Sequence, residues 1–236
     1  MSTHHYPDNQ ALVADLAPLI AATLVRAIAA RGHANLAVSG GSTPKSLFEA
    51  LSKQAIDWQH VQITLVDERW VDEADMQSNA RLVREYLIQN RASEARFVSL
   101  KEPGVDAFAC VDAVATKLLA TAQPLFPLDV VVLGMGEDGH TASWHPGAET
   151  LAQVMDVDSP AICGAVRPLV APCDRMTLTL GTVLQAHLLI LHMVGEAKLP
   201  VFEAALQPGP VSEMPVRAIL QQTHVPTEVY YAPQMS

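Results

Sequence analysis

The segment Asp129 to Gly147, DVVVLGMGEDGHTASWHPG, constrains the fold more than any other part of this chain. Its apolar run does not alternate, so the strand it predicts must be covered on both faces, as in the interior of a parallel sheet. A glycine-dense turn then carries the chain out at that strand's carboxyl end. The same passage from apolar strand to polar loop recurs twice upstream. Asn35 to Val38 runs into Ser39-Gly40-Gly41-Ser42-Thr43-Pro44, and Val61 to Val66 runs into Asp67-Glu68-Arg69.

Helical patterns separate these strands. Leu12, Val13, Leu16, Leu19, Ile20, Leu24 and Ile28 fall at helical spacing within Asn9 to Ala30, and Gly32 marks the stop. Thr43 suits an N-cap and Pro44 a first helical position for a helix to about Gln54, and Ser78 caps another. Asp106 to Ala120 reads as an amphipathic helix. Strands follow near Ala161 to Val166, Arg175 to Leu180 and His187 to Val194, then a helix from Glu196 to Leu206. The proline-rich Gln207 to Pro215, a short helix and a last strand, Glu228 to Tyr231, close the chain. The alternation predicts a doubly wound α/β fold, and without repeats or long linkers the 236 residues read as a single domain. Ligands of such sheets gather at the carboxyl ends of the strands, where all three loops lie.

Composition excludes several classes. A net charge of -10 without a basic run argues against nucleic acid. With only 15 Lys and Arg residues, each one beside a glycine loop gains weight as an anion ligand. The apolar run near Leu188 to Val194 is too short for a bilayer span of about 20 residues, so no membrane segment is expected. Met1 to Asn9 lacks the basic and apolar regions of a signal peptide, which predicts a cytoplasmic protein. Cys110, Cys163 and Cys173 form no C-x-x-C pair and read as small buried hydrophobes.

Each loop has a chemical reading beside a plain one. Gly40, Gly41, Ser42 and Thr43 precede a helix start, so their amides suit a phosphate cradle, or the loop is an ordinary tight turn. Arg69 can hold an anion through its planar fork, while Asp67 and Glu68 offer acid-base chemistry, an ion pair to Arg69, or a solvated charge run. Gly134, Gly136 and Gly139 match G-x-G-x-x-G, but Pro146 follows seven residues after Gly139, too soon for the long helix of a dinucleotide fold. His140, beside Asp138 and Thr141, is then the candidate general base, since an unperturbed imidazole titrates at about 6.5.

Other chemistries fit less well. Asp138, His140 and His145 do not have H-E-x-x-H spacing, and no G-x-S-x-G elbow supports a serine hydrolase. Arg175, opening a strand, and Lys198, in the first turn of a helix, are either surface charges or further anion ligands.

Taken in order, SGGSTPKSLFEAL from Ser39, DERWV from Asp67, SNARLVREYL from Ser78, LGMGEDGHTAS from Leu133, RMTLTL from Arg175, GEAK from Gly195, and Pro215 through Leu220-Gln221 to His224 resemble the 6-phosphogluconolactonase family, within the wider glucosamine-6-phosphate isomerase/6-phosphogluconolactonase superfamily. The resemblance implies a modified Rossmann-like fold, with a doubly wound, mostly parallel sheet flanked by helices. It implies no cofactor and no metal, and hydrolysis of 6-phospho-D-glucono-1,5-lactone in the pentose phosphate pathway. By the same resemblance His140 is the base that activates water. Gly40, Gly41, Ser42, Thr43, Arg69, Arg175 and Lys198 hold the substrate, with Asp67, Glu68, Gly136, Asp138 and Gly139 in support. The partner implied is a small phosphorylated sugar lactone. A glucosamine-6-phosphate isomerase/deaminase and a non-catalytic phosphosugar-binding module are the alternatives. The sequence departs from the family pattern at Trp144-His145, at Asp72, and in a last strand without tryptophan.

Overall fold

The Asp8 carboxylate accepts the Ala11 N–H at 2.8 Å and opens the first helix, α1 (Asn9–Arg31); Gly32 closes it in the left-handed conformation, φ 80°, donating to Ile28 O at 2.7 Å. The structure is a computed structural model that describes residues 1–104, 106–170 and 173–234. Its strands are β1 (Ser2–His5), β2 (Ala34–Val38), β3 (Val61–Leu65), β4 (Asp67–Arg69), β5 (Arg96–Val98), β6 (Val130–Leu133), β7 (Cys163–Val166), β8 (Arg175–Leu178), β9 (Leu189–Val194) and β10 (Thr227–Ala232). The remaining helices are α2 (Lys45–Ser52), α3 (Asn79–Tyr86), α4 (Val111–Leu119), α5 (Leu151–Val154), α6 (Leu180–Val183), α7 (Lys198–Leu206) and α8 (Arg217–Leu220).

Seven strands form one sheet in the order β1-β10-β9-β6-β2-β3-β5, and every pairing in it is parallel. Every residue of β2, β3, β6 and β9 is buried, which is why β6 reads as a continuous apolar run; in β3 the alternating Gln62 and Thr64 are hydrogen-bonded inside the protein, Gln62 to Asn35 Oδ1 at 3.1 Å and Thr64 to Val98 O at 2.8 Å. From β2 the chain runs through β3 to β5 at one edge, whereas from β6 it runs through β9 to β10 toward the other. The junction of β2 and β6 is therefore the topological switch point, and the Ser39 and Gly134 loops leave the sheet side by side there.

α1 is long and apolar enough to cross a membrane, with a mean hydropathy of 1.8. Its apolar face is spent on the core instead: Leu12, Leu16, Ile20 and Leu24 are completely buried, and the helix packs on α2, β2 and β10.

Several details differ from the sequence expectation. Ser2 to His5 is a strand, at the edge of the sheet beside β10. An edge strand needs one partner and no apolar alternation, so its polar residues gave no signal; His4 stacks on Tyr230 and its Nε2 lies 2.7 Å from Glu228. Asp67 to Arg69 is a strand as well, and it joins β8 and β7 in a separate antiparallel sheet ordered β4-β8-β7. Thr43 is not the cap of α2: Pro44, with φ -80° and ψ -4°, takes that place and its carbonyl accepts the Phe48 N–H at 2.8 Å. Asp106 to Ala120 contains a 3-10 turn at Phe108–Cys110 before α4. Only Cys163 of the free cysteines is buried, and burial pushes its thiol up to about 12; Cys110 and Cys173 are half-exposed.

Candidate active site

The two polar loops at the switch point, together with the ends of β4, β9 and α7, enclose a cavity of about 410 Å³. Gly40, Gly41, Ser42 and Thr43 form one wall, Asp67 and Arg69 another, Gly136 and His140 a third, and Lys198 enters from the start of α7. The convergence expected from topology is thus present. A second depression of about 360 Å³ adjoins it, sharing Gly41, Ser42, Arg69 and Asn79 and adding Lys45 and Arg81. Arg175 does not line either cavity. It lies opposite Arg69 in the β4–β8 register, buried, with Nη1 2.6 Å from the Cys173 sulfur.

The histidine turn is tied on every side. Gly136 N–H donates to His140 O at 2.8 Å and Thr141 Oγ1 to Gly134 O at 2.7 Å, closing the loop on itself. Ser143 Oγ donates to Asp67 Oδ2 at 2.6 Å, and the fully buried Trp144 donates through Nε1 to Leu178 O at 3.0 Å. From the far end of the chain, Val216 N–H donates to Gly139 O at 2.9 Å. A side chain on Gly136 would stand 2.1 Å from His140 Nδ1, so only glycine lets the imidazole fold back over the turn. Gly139, at φ 78°, supplies the left-handed residue that aims it.

His140 Nδ1 lies 2.5 Å from Asp138 Oδ1, and the His145 ring packs on His140 with centroids 4.2 Å apart. Partial burial opposes ionisation of Asp138, but the hydrogen bond from His140, His145 Nδ1 at 3.9 Å and the charge of His140 outweigh it and hold the carboxyl well below the usual range. An ionised carboxylate can only accept, so in the neutral imidazole Nδ1 carries the proton and the lone pair is on Nε2. That tautomer is the one a general base needs. Possible ligand atoms of Asp138, His140 and His145 lie within 4.8 Å of one another, closer than their sequence spacing implied. The 2.5 Å contact is a hydrogen bond rather than the separation of two atoms sharing a metal.

Glu68 is structural. Its carboxylate accepts the N–H groups of Arg69, Asn79 and Ala80 at 2.7–2.8 Å and Ser78 Oγ at 3.2 Å, so it anchors the start of α3. Burial raises its pKa against those hydrogen bonds. Arg69 makes no ion pair with Asp67 or Glu68; its Nη1 donates to Gln77 O at 2.7 Å, which leaves the guanidinium charge unneutralised at the cavity wall.

Three wall residues were given no site role from the sequence. Asn79, at the start of α3, donates through Nδ2 to Asp67 O at 2.8 Å and presses so closely on Gly40 that an added Cβ would lie 1.8 Å from its Oδ1. Ser39 and His192 line the buried part of the cavity. The available signal for His192 was a polar break in an otherwise apolar buried strand.

Comparison with known proteins places this geometry. Residues 7–229 match the family described as glucosamine-6-phosphate isomerases/6-phosphogluconolactonase. The chain belongs to this family. Among curated members it is 46% identical to a 6-phosphogluconolactonase of Mesorhizobium japonicum, covering 97% of this chain and 94% of the relative. A 6-phosphogluconolactonase of Rhizobium meliloti is 44% identical, with 98% of each chain covered. The crystal structure of a 6-phosphogluconolactonase from Shewanella baltica superposes with a TM-score of 0.94 at 45% identity, covering 98% of this chain and 97% of that one. The family's mostly parallel α/β sheet is the one observed here.

Proposed function

We propose that the chain is a 6-phosphogluconolactonase that hydrolyses 6-phospho-D-glucono-1,5-lactone, with His140 as the general base. The observation that carries the mechanism is the imidazole whose Nδ1 is engaged by Asp138 while its ring lines a cavity bordered by Arg69, Lys198 and the Ser39–Pro44 loop. Water gives a proton to His140 Nε2 as its oxygen attacks the lactone carbonyl. The tetrahedral intermediate collapses with cleavage of the ring C–O bond. The imidazolium returns the proton to the departing ring oxygen, and the new carboxylic acid ionises. Arg69, Lys198 and the amides of Gly40, Gly41, Ser42 and Thr43 take the phosphate, whose binding energy fixes the ring against the base. Arg175, opposite Arg69 in the β4–β8 register, adds to the positive charge of the anion site, and Asp67, Glu68, Gly136, Asp138 and Gly139 hold the site in shape. Residues 1–236 act as one domain in this reading, working on a soluble sugar phosphate in the cytoplasm.

The test is proton release from freshly generated 6-phosphogluconolactone, corrected for spontaneous opening. The wild type accelerates opening, and His140→Asn lowers kcat by about 10²–10⁴-fold. The same variant keeps its affinity for 6-phosphogluconate. Ammonia release from glucosamine 6-phosphate without lactone opening would replace this reading by the isomerase/deaminase one.

A further inference from the structure

Trp144-His145 is one place where the sequence departs from the family pattern, and the fold sets the second of these residues against the catalytic base. The chain reverses tightly to bring it there. Ala142 takes the left-handed conformation at φ 51°, Trp144 N–H donates to Thr141 O at 3.0 Å, and His145 N–H donates to Ser143 O at 3.1 Å. A left-handed alanine is strained, and such a conformation persists only where its surroundings hold it. The buried Trp144 indole, donating to Leu178 O, is the anchor. His145 therefore has a fixed backbone, and its side chain is only 12% exposed.

The Asp138–His140 pair needs such a neighbour. Among the described residues the Asp138 carboxylate accepts hydrogen bonds only from His140 N and Nδ1, and the His140 ring makes none except with Asp138. Two groups that hold only each other fix their mutual distance and leave their common orientation toward the cavity open. Gly136 makes room for the imidazole but has no side chain to stop it turning. His145 supplies that stop. Its ring lies against His140, with centroids 4.2 Å apart and planes at 36°, and its Nδ1 is 3.9 Å from the other carboxylate oxygen, Asp138 Oδ2. The second distance is too long for a hydrogen bond, so ring packing is the stronger of the two contacts. Of the three side chains only His140 lines the cavity, so His145 meets the base without reaching the space that takes the substrate.

We propose that His145 is a positioning residue that clamps the Asp138–His140 pair from outside the cavity, so that His140 Nε2 stays aimed at the water that attacks the lactone. The proposal rests on the lactonase reading and adds a third member to its proton-transfer machinery. Without the clamp the imidazole turns about its side-chain bonds, and a base displaced by about 1 Å loses on the order of 100-fold in rate. Other residues bind the substrate, so the loss falls on kcat.

The test compares wild type, His145→Ala and His145→Phe. His145→Ala lowers kcat for the phosphorylated lactone by about 10–100-fold, with KM changed by no more than about twofold. His145→Phe, which restores a ring without a polar atom, recovers most of kcat. Nitrogen-15 NMR of the free enzyme gives a readout independent of turnover, the His140 ring signals being assigned by their loss in His140→Asn. In wild type the neutral His140 ring shows the Nδ1-protonated form alone, and in His145→Ala the Nε2-protonated form appears beside it, because the ring no longer keeps Nδ1 on Asp138. An unchanged kcat in His145→Ala, a loss carried by KM, or His140 signals identical to wild type would each overturn the proposal. Should His145→Ala fail to fold, His145→Gln, which lacks the ring, takes its place against His145→Phe in both measurements. Absence of lactone opening by the wild type overturns the lactonase reading, and the NMR comparison then decides the clamp by itself.

Discussion

The two loops that meet at the switch point are built in opposite ways. The histidine turn is fastened by Thr141 to Gly134, by Ser143 to Asp67, by Trp144 to β8 and by Val216 to Gly139. The Ser39–Pro44 loop is held only at its ends, by Ser39 N–H to Val132 O at 2.9 Å and by the Pro44 carbonyl to Phe48. Among the described residues no hydrogen bond within the protein uses the amides or hydroxyls of Gly40, Gly41, Ser42 or Thr43. One loop uses its polar groups to fix a single side chain, and the other leaves them free. Position is what proton transfer requires, since a small misplacement of a base costs rate steeply. Free donors are what anion binding requires, and the ligand itself can then order the loop.

The sharpest way to break this contrast is to add one methyl group to each loop. Gly136→Ala drives a Cβ to within 2.1 Å of His140 Nδ1 and 2.6 Å of Asp138 Oδ1, so kcat should fall by about 100-fold or more with KM little changed. Gly40→Ala meets Asn79 Oδ1 at 1.8 Å, and its effect should fall on KM, by roughly tenfold, with kcat retained. Steady-state kinetics on the phosphorylated lactone separate the two, and a shared kcat defect would erase the distinction between the loops. Next in size is Ser143→Ala, which leaves the buried Asp67 carboxylate without its 2.6 Å donor. A loss of about 1–3 kcal/mol in denaturant unfolding is expected, where a comparable change at the exposed Ser42 should cost almost nothing.

The smallest effect concerns pH. Asp138 has a folded pKa below its unfolded one, so its contribution to stability is fully present above the ordinary carboxylate range and is lost as pH falls toward the depressed value. The melting-temperature gap between wild type and Asp138→Asn should therefore be constant above about pH 5 and narrow below about pH 4. Because Asp138 is 45% exposed, solvent screening keeps that gap modest. A gap independent of pH would mean that the carboxylate does not hold His140 through its charge.

The sequence was most legible where local pattern decides structure. The short strands β2 and β3, the unbroken apolar run of β6, the Gly32 stop and the Ser78 cap each depend on a few neighbouring residues, and each appeared where expected. His140, Arg69 and Lys198 could be singled out because the loops bearing them leave a parallel sheet at the same end. What escaped was set by partners distant in the chain. β4 is a strand because β8, more than a hundred residues later, lies beside it, and Glu68 accepts the amides at the start of α3 because the chain returns to it at Asn79. Arg175 could be singled out by position alone; that the same antiparallel pairing sets it opposite Arg69, with Nη1 on the Cys173 sulfur, could not be read.

The edge strand β1 links the earliest residues of the chain to β10, almost the last segment described, through the register Ser2 to Glu228 and His5 to Tyr231. A ribosome therefore releases every other strand of the large sheet before β1 has anything to pair with. Until β10 emerges, β9 stands as an open edge and the amino-terminal residues stay uncommitted, so the sheet closes by a contact of the greatest sequence separation. Assembly of the large sheet in that sense waits on β10, which covers the flank of β9 and gives β1 its partner.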